Sequence, residues 1–409
     1  MKRVVITGMG ILSPIGNSVE AVWDALSKGR SGISFMDEWE GVKGLKTRVG
    51  GRVQGFDPRL IARKQRRTMG RMGIMAALAA LDAVRDSGLD PLELASEKAG
   101  VSMGSTTGSP QAIEKMFADY SASGGINYLE GTTFMKVMSH SAAANVGALL
   151  KTRGRLMAPC SACASSTQAI GTGFETIRAG IQEIMVCGGT EELHPSTAGV
   201  FDVVHAASKA YNTTPDKTPR PFDRHRDGLA VSEGAGVVIL EEMDRAMARN
   251  APIYGEITGY GTSSDGSHMT SPSPGGMGHC MNQALAVAGI TPEDLDYINA
   301  HATGTTIGDV AEAHALNALT RGRVPVSGTK GYTGHTLAAS GAIEVIFCLL
   351  MMDKGIIVPT LNLDEIDPDC LGIDHVTQMT EKTLKHILTS NFAFGGVNAS
   401  LILTAIKGA

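Results

Sequence analysis

Four short segments carry residue types that can do chemistry together. Cys163 lies in Pro159-Cys160-Ser161-Ala162-Cys163-Ala164-Ser165, His301 in Asn299-Ala300-His301-Ala302-Thr303-Gly304-Thr305, and His335 in Lys330-Gly331-Tyr332-Thr333-Gly334-His335. The fourth is the run Asn391-Phe392-Ala393-Phe394-Gly395-Gly396-Val397-Asn398. A thiolate can accept an acyl group as a thioester. A second substrate must become a carbanion before it attacks that thioester, and decarboxylating a malonyl group generates one. Two imidazole N–H groups can then hold the developing enolate oxygen, while Lys330 keeps neighbouring groups in the required charge state. The glycine-rich run offers a turn with free backbone N–H groups. One thiol, two imidazoles, one ammonium and such a turn are the parts of a carbon–carbon bond-forming acyl transferase.

The elements around them fit this use. Arg155-Leu156-Met157-Ala158 predicts a short strand entering a sharp turn, and Ile170, Phe174 and Ile177 mark one face of a helix after Cys163. Cys163 then sits at a helix N-terminus, where free N–H groups and the dipole are expected to lower the thiol pKa. Cys187 and Cys348 lie in apolar runs and read as buried structural thiols. Cys160 and Cys163 also have C-x-x-C spacing, but no second C-x-x-C or nearby His completes a zinc site. His301 ends an apolar strand-like stretch, and His335 lies in a strand-to-helix turn. Each is in a glycine- and threonine-rich turn of the kind where binding groups concentrate. Glu344, in the helix after His335, reads as a buried anchor for Lys330.

Strand and helix alternate from the start. Arg3-Val4-Val5-Ile6-Thr7-Gly8 predicts a buried strand that stops at glycine. A helix capped by Asn17 with Glu20 follows, carrying Val22, Trp23 and Leu26 on one face and ending near Gly29. The next runs from about Arg71 to Ser87, with Gly88 as terminator. This alternation predicts α/β layers. Ile6-Thr7-Gly8-Met9-Gly10 recurs as Ile257-Thr258-Gly259-Tyr260-Gly261, and Met103 to Gly108 echoes Ala300 to Thr305. Two duplicated halves are expected, residues 1–250 with the nucleophilic Cys and residues 251–409 with the two His. The turn-rich stretch 207–228 reads as an excursion covering a site.

Bulk properties exclude several classes. The 409 residues are 43% hydrophobic and 19% charged, with 50 glycines. A net charge of −5 and only 5% aromatics argue against a nucleic-acid surface. Arg63, Lys64, Arg66 and Arg67 form a local basic cluster suited to an acidic partner or phosphate. Residues 343–352, the longest apolar run, contain Glu344 and are too short to span a bilayer. No secretion-signal pattern opens the sequence. A cytoplasmic protein with reduced thiols is expected.

On the Cys163 turn, Arg220-Pro221-Phe222-Asp223 with Arg226-Asp227-Gly228, His301 to Asp309, Lys330 to His335 and Asn391 to Asn398, the whole chain resembles the type I and II β-ketoacyl-[acyl-carrier-protein] synthases. The resemblance implies a thiolase-like, five-layered αβαβα fold from two duplicated halves, usually a homodimer. It implies decarboxylative condensation of an acyl group, held on Cys163, with malonyl-[acyl-carrier-protein], in fatty acid or polyketide biosynthesis. Cys163 would be the nucleophile, His301 and His335 the decarboxylation pair, and Lys330 and Glu344 the supporting charges. Backbone N–H groups of Cys163 and Phe394 would form an oxyanion hole, and Phe394, with Phe392 beside it, would gate the acyl chain. Thr303 and Thr305 would contact the phosphopantetheine arm of the carrier, and Lys64 and Arg67 would meet the acidic carrier protein. No metal or resident cofactor is implied. Leu229 stands where the family usually has Phe, Ala393 where it has Gly, and Ala302 where Gly often follows the first catalytic His. These departures bear on acyl specificity. The alternatives are a specialised subunit of a heterodimeric synthase and a non-catalytic partner subunit, which would usually lack the nucleophile. A degradative thiolase would want a second active-site cysteine where Phe392-Ala393-Phe394-Gly395 stands.

Overall fold

A computed structural model describes residues 1–406. The first half runs β1 (Val4–Leu12), α1 (Val19–Ser27), α2 (Arg71–Ser87), β2 (Ala99–Gly104), α3 (Ser141–Leu150), β3 (Leu156–Met157), α4 (Ser165–Arg178), β4 (Ile184–Glu191), α5 (Pro195–Val203) and β5 (Gly234–Glu242). The second runs β6 (Gly255–Ser264), α6 (Pro274–Ala288), β7 (Tyr297–Ala300), α7 (Thr306–Thr320), β8 (Pro325–Gly328), α8 (Ser340–Lys354), β9 (Asp374–His375), β10 (His386–Ala393) and β11 (Val397–Thr404). One 11-stranded sheet has the order β9-β8-β7-β10-β11-β6-β1-β5-β4-β2-β3. Apart from β9 the order is a palindrome: β1 to β5 of the first half answer β6, β7, β8, β10 and β11 of the second. The halves join where Val4, Val5 and Ile6 pair antiparallel with Ile257, Glu256 and Gly255.

Helices α2 and α3 cover the outer face of the first half, and α6 and α7 that of the second. Helices α4 and α8 pack on each other and on strands of both halves. The result is five layers, helix–sheet–helix–sheet–helix. Helix α8 is buried on every side from Ser340 to Met351, which is why it reads as an almost unbroken apolar run, whereas α4 keeps a polar stripe with Glu175 exposed. Among the described residues no helix is long and apolar enough to cross a membrane.

The strand expected to stop at Gly8 continues to Leu12. Gly8 and Gly10 do not end it; they admit α2. A Cβ on Gly8 would lie 2.2 Å from the Ala83 carbonyl oxygen, and one on Gly10 2.0 Å from that of Ala79. The second half repeats the contact, with Gly259 against Ala284 (2.1 Å) and Gly261 against Cys280 (2.2 Å) of α6. The echo in sequence is therefore a repeated close approach of helix to strand. The cap of α1 falls on Ser18, whose Oγ accepts from the Ala21 N–H (3.2 Å). Asn17 instead donates its amide to the Gln54 carbonyl, so the expected Asn17 cap is corrected by one residue. Helix α2 has the expected limits, closed by Gly88 at φ 64.

Candidate active site

Strand β3 leads into a 3-10 turn, Ala162–Ala164, from which α4 springs. Ala162 takes φ 45, and Ser165 Oγ laces the turn, accepting from the Ser161 N–H (2.9 Å) and donating to the Ala162 carbonyl (2.7 Å). Cys163 is thereby presented at the start of α4, 7% exposed. His301 follows β7, and His335 precedes the turn that opens α8. The three come together: the Cys163 Sγ and one nitrogen of each imidazole lie within 4.8 Å of one another. His335 Nε2 is 2.9 Å from Sγ, and the two imidazole rings meet edge to face at 5.1 Å.

Hydrogen bonding fixes both tautomers. The Leu337 N–H donates to His335 Nδ1 (3.2 Å), beside the Ser340 hydroxyl at 3.0 Å. Nδ1 is therefore an acceptor, and the proton resides on Nε2, facing the sulfur. Asn391 accepts the Thr167 hydroxyl on Oδ1 and donates Nδ2–H to Glu344 Oε2 (2.7 Å) and to His301 Nδ1 (3.2 Å). The reverse amide orientation would set its oxygen against the Glu344 carboxylate. His301 thus also offers Nε2–H to the site. Lys330 donates to the His301 carbonyl (2.6 Å) and pairs with Glu344, both side chains fully buried. Burial lowers both imidazole pKa values well below the ordinary range, and the Lys330 ammonium adds to it. Both rings are neutral donors.

The thiol departs from expectation. Burial pushes Cys163 up to about 12, opposed by Lys330 and by its own backbone N–H. The helix start acts in the expected direction, but desolvation outweighs it. Three ligand atoms this close could suit a metal. Both Nδ1 atoms, however, already accept hydrogen bonds, so each Nε2 lone pair is taken by a proton and the donor set does not fit a cation.

A cavity of about 360 Å³ opens onto the three residues. Thr303, Thr305, Leu229, Phe392 and Phe394 line it. The Thr303 and Thr305 hydroxyls are 2.9 Å apart. Phe392 is buried, edge-on to His301. Phe394 is 43% exposed at the mouth and stacks on Phe201 of α5. Leu229 is buried in one apolar cluster with Cys163 and Leu337. The 207–228 excursion, expected to cover the site, contributes no residue to the wall; only its flanking neighbours Ala206 and Leu229 line it. Lys64 and Arg67 are not brought to the cavity. They lie exposed at a single helical turn, Arg63–Arg66, and its cap.

Other buried groups that shape the site went unread in the sequence. Glu312 accepts the His301 and Ala302 N–H groups, both at 2.7 Å, and burial pushes it up to about 8. Asp309 accepts from Phe222 and Gly304 and is pushed up to about 6. The i, i+3 acid pair on one face of the Ala-rich helix α7 was the available signal.

Models for the N-terminal domain (residues 1–246) and the C-terminal domain (residues 254–364) of β-ketoacyl synthases match the chain. It is 39% identical to 3-oxoacyl-[acyl-carrier-protein] synthase 1 of Escherichia coli (strain K12), covering all of both chains. A β-ketoacyl synthase structure from Burkholderia phymatum STM815 superposes with a TM-score of 0.96 at 40% identity, covering all of both. A type II polyketide synthase acyl-carrier protein in complex with its ketosynthase gives 0.90 at 28%, covering 99% of this chain and 100% of that one.

Proposed function

The chain belongs to the β-ketoacyl synthase family, and from that premise we propose how its residues divide the reaction. It is a condensing acyltransferase that joins an acyl thioester to malonyl-[acyl-carrier-protein] in fatty acid synthesis, giving 3-oxoacyl-[acyl-carrier-protein] and CO2. Cys163 Sγ attacks the acyl carbonyl, and the backbone N–H groups of Cys163 and Phe394 hold the oxyanion. The carrier thiol departs with the proton that Sγ gives up, leaving the acyl group on Cys163. Malonyl carrier then binds, and its carboxylate leaves as CO2. The electron pair passes to an enolate whose oxygen accepts from His301 and His335 Nε2–H. The enolate carbon attacks the Cys163 thioester, a 3-oxoacyl carrier forms, and Sγ leaves and takes up a proton.

Thr303 and Thr305 bind the phosphopantetheine arm in this reading, Phe394 with Phe392 gates the chain, and Leu229 and Ala393 shape the acyl channel. The substrate arrives on its own phosphopantetheine, and no resident cofactor is invoked. The partner is acyl carrier protein, docking on Lys64 and Arg67. A homodimer is proposed because the sheet ends in an uncovered edge strand, with Leu156 48% exposed, and Tyr128 and Phe134 are exposed as well. Pairing with a related subunit instead would show as failure to self-associate.

One observation carries the reading: two neutral Nε2–H donors and one sulfur converge on a single point at the cavity wall. Purified wild type should condense acyl- and malonyl-carriers, and Cys163→Ala should not. Condensation by the alanine variant would remove Cys163 from the mechanism.

A further inference from the structure

The molecule contains a second turn built like the one that carries Cys163. In α4 and α8 alike, a 3-10 turn precedes a helix that begins with serine, Ala162–Ala164 before Ser165 and Leu337–Ala339 before Ser340. Both turns open on a left-handed residue, Ala162 at φ 45 and Leu337 at φ 47. Ala338 thus stands where Cys163 stands. The strands beside them correspond as well: β4 and β10 are each 8 residues long, so Glu191 answers Ala393 and Glu192 answers Phe394. Parallel pairing of β2 with β4 and of β7 with β10 likewise sets Thr106 opposite Thr303.

The counterparts of the Cys163 and Phe394 N–H groups are therefore those of Ala338 and Glu192. A carboxylate occupies them. Glu191 Oε2 accepts the Ala338 N–H at 3.3 Å, and the Glu192 and Thr106 N–H groups also favour its ionised form. The Thr106 hydroxyl donates to both carboxylate oxygens, each at 2.8 Å. Glu191 is 0% exposed, and its partners are hydroxyl and N–H donors at a helix start, the surroundings that an anion finds at helix N-termini. Burial pushes its carboxyl up to about 7, while these donors pull it down. The Ala338 N–H adjoins the Leu337 N–H, which donates to His335 Nδ1.

We propose that Glu191 is a built-in anion filling the second-half counterpart of the oxyanion hole, and that by holding this turn it is a positioning residue for His335. It keeps Nδ1 an acceptor and aims Nε2–H at Cys163. The inference rests on the reading of the Cys163 and Phe394 N–H groups as an oxyanion hole.

Replacing Glu191 by alanine leaves a carboxylate-sized space lined by unfilled donors. In Glu191→Ala, condensation should fall roughly tenfold or more. Sodium formate or acetate at about 100 mM should raise both its melting temperature and its rate, relative to sodium chloride at the same ionic strength, and leave wild type unmoved. Equal responses to formate and chloride, or an alanine variant as active as wild type, would overturn the proposal. If Glu191→Ala does not fold, the near-isosteric Glu191→Gln serves, read by 15N NMR of the histidines. Its amide must turn a donor toward donors, so the His335 signals should leave the wild-type Nε2–H pattern; an unchanged spectrum contradicts the positioning role. Wild-type condensation measured alongside separates the two readings. An inactive wild type with a formate-responsive alanine variant would fault the reaction and support the anion hole.

Discussion

The turn at Cys163 and the turn at Ala338 share a backbone and differ in what they face. The first opens into a cavity, and its sulfur meets two imidazole donors from the second half. The second is closed by Glu191 and carries a methyl group where the nucleophile would be. Duplication supplied two sets of N–H groups at two helix starts. One is filled from within by a carboxylate and becomes part of the framework, whereas the other stays open beside the cavity. The asymmetry lies in a few side chains: Cys163 against Ala338, His301 against Gly104, His335 against Cys160.

Removing what is unequal between the turns should cost most. His335→Ala and His301→Ala each take one donor from the enolate. Release of CO2 from malonyl carrier by pre-acylated enzyme should fall about 10²–10³-fold, while acyl loading of Cys163 persists. Loss of loading in proportion would mean the rings serve the nucleophile instead. Removing what is equal should cost both halves alike. Gly10→Ala and Gly261→Ala push a methyl into a helix carbonyl oxygen at 2.0 and 2.2 Å. Each should destabilise by about 1–3 kcal/mol in denaturant titration. A large effect in one half and none in the other would break the structural equivalence. The smallest effect concerns the thiol. With Cys163 raised to about 12 by burial, the thiolate is a small fraction at neutral pH and grows as pH rises. Alkylation of Cys163 by iodoacetamide should therefore climb about tenfold per pH unit between pH 7 and 9. A plateau near pH 7 would show that the helix start outweighs burial.

What the sequence disclosed follows from how local each feature is. The limits of α2 are legible because a periodic apolar face and Gly88 sit within one stretch of chain. The Cys–His–His set was legible because His301 and His335 each lie in a short glycine- and threonine-rich turn and Cys163 lies in a short turn before a helix. Gly8 was misread as a stop because its reason is a helix more than seventy residues away. The Asn391 bridge between His301 and Glu344 and the Glu191 contact to Ala338 join distant segments, and no spacing announces them. The direction of the thiol shift failed for a related cause. A helix start is visible in sequence, whereas the depth of burial that overrides it belongs to the assembled layers.

The most direct measurement is the mass of the enzyme after incubation with acyl-carrier alone. Wild type and His301→Ala should each gain one acyl group, mapped to the Cys163 peptide, and Cys163→Ala should gain none. An acyl group on Cys163→Ala, or one mapped to another residue of wild type, would contradict the account.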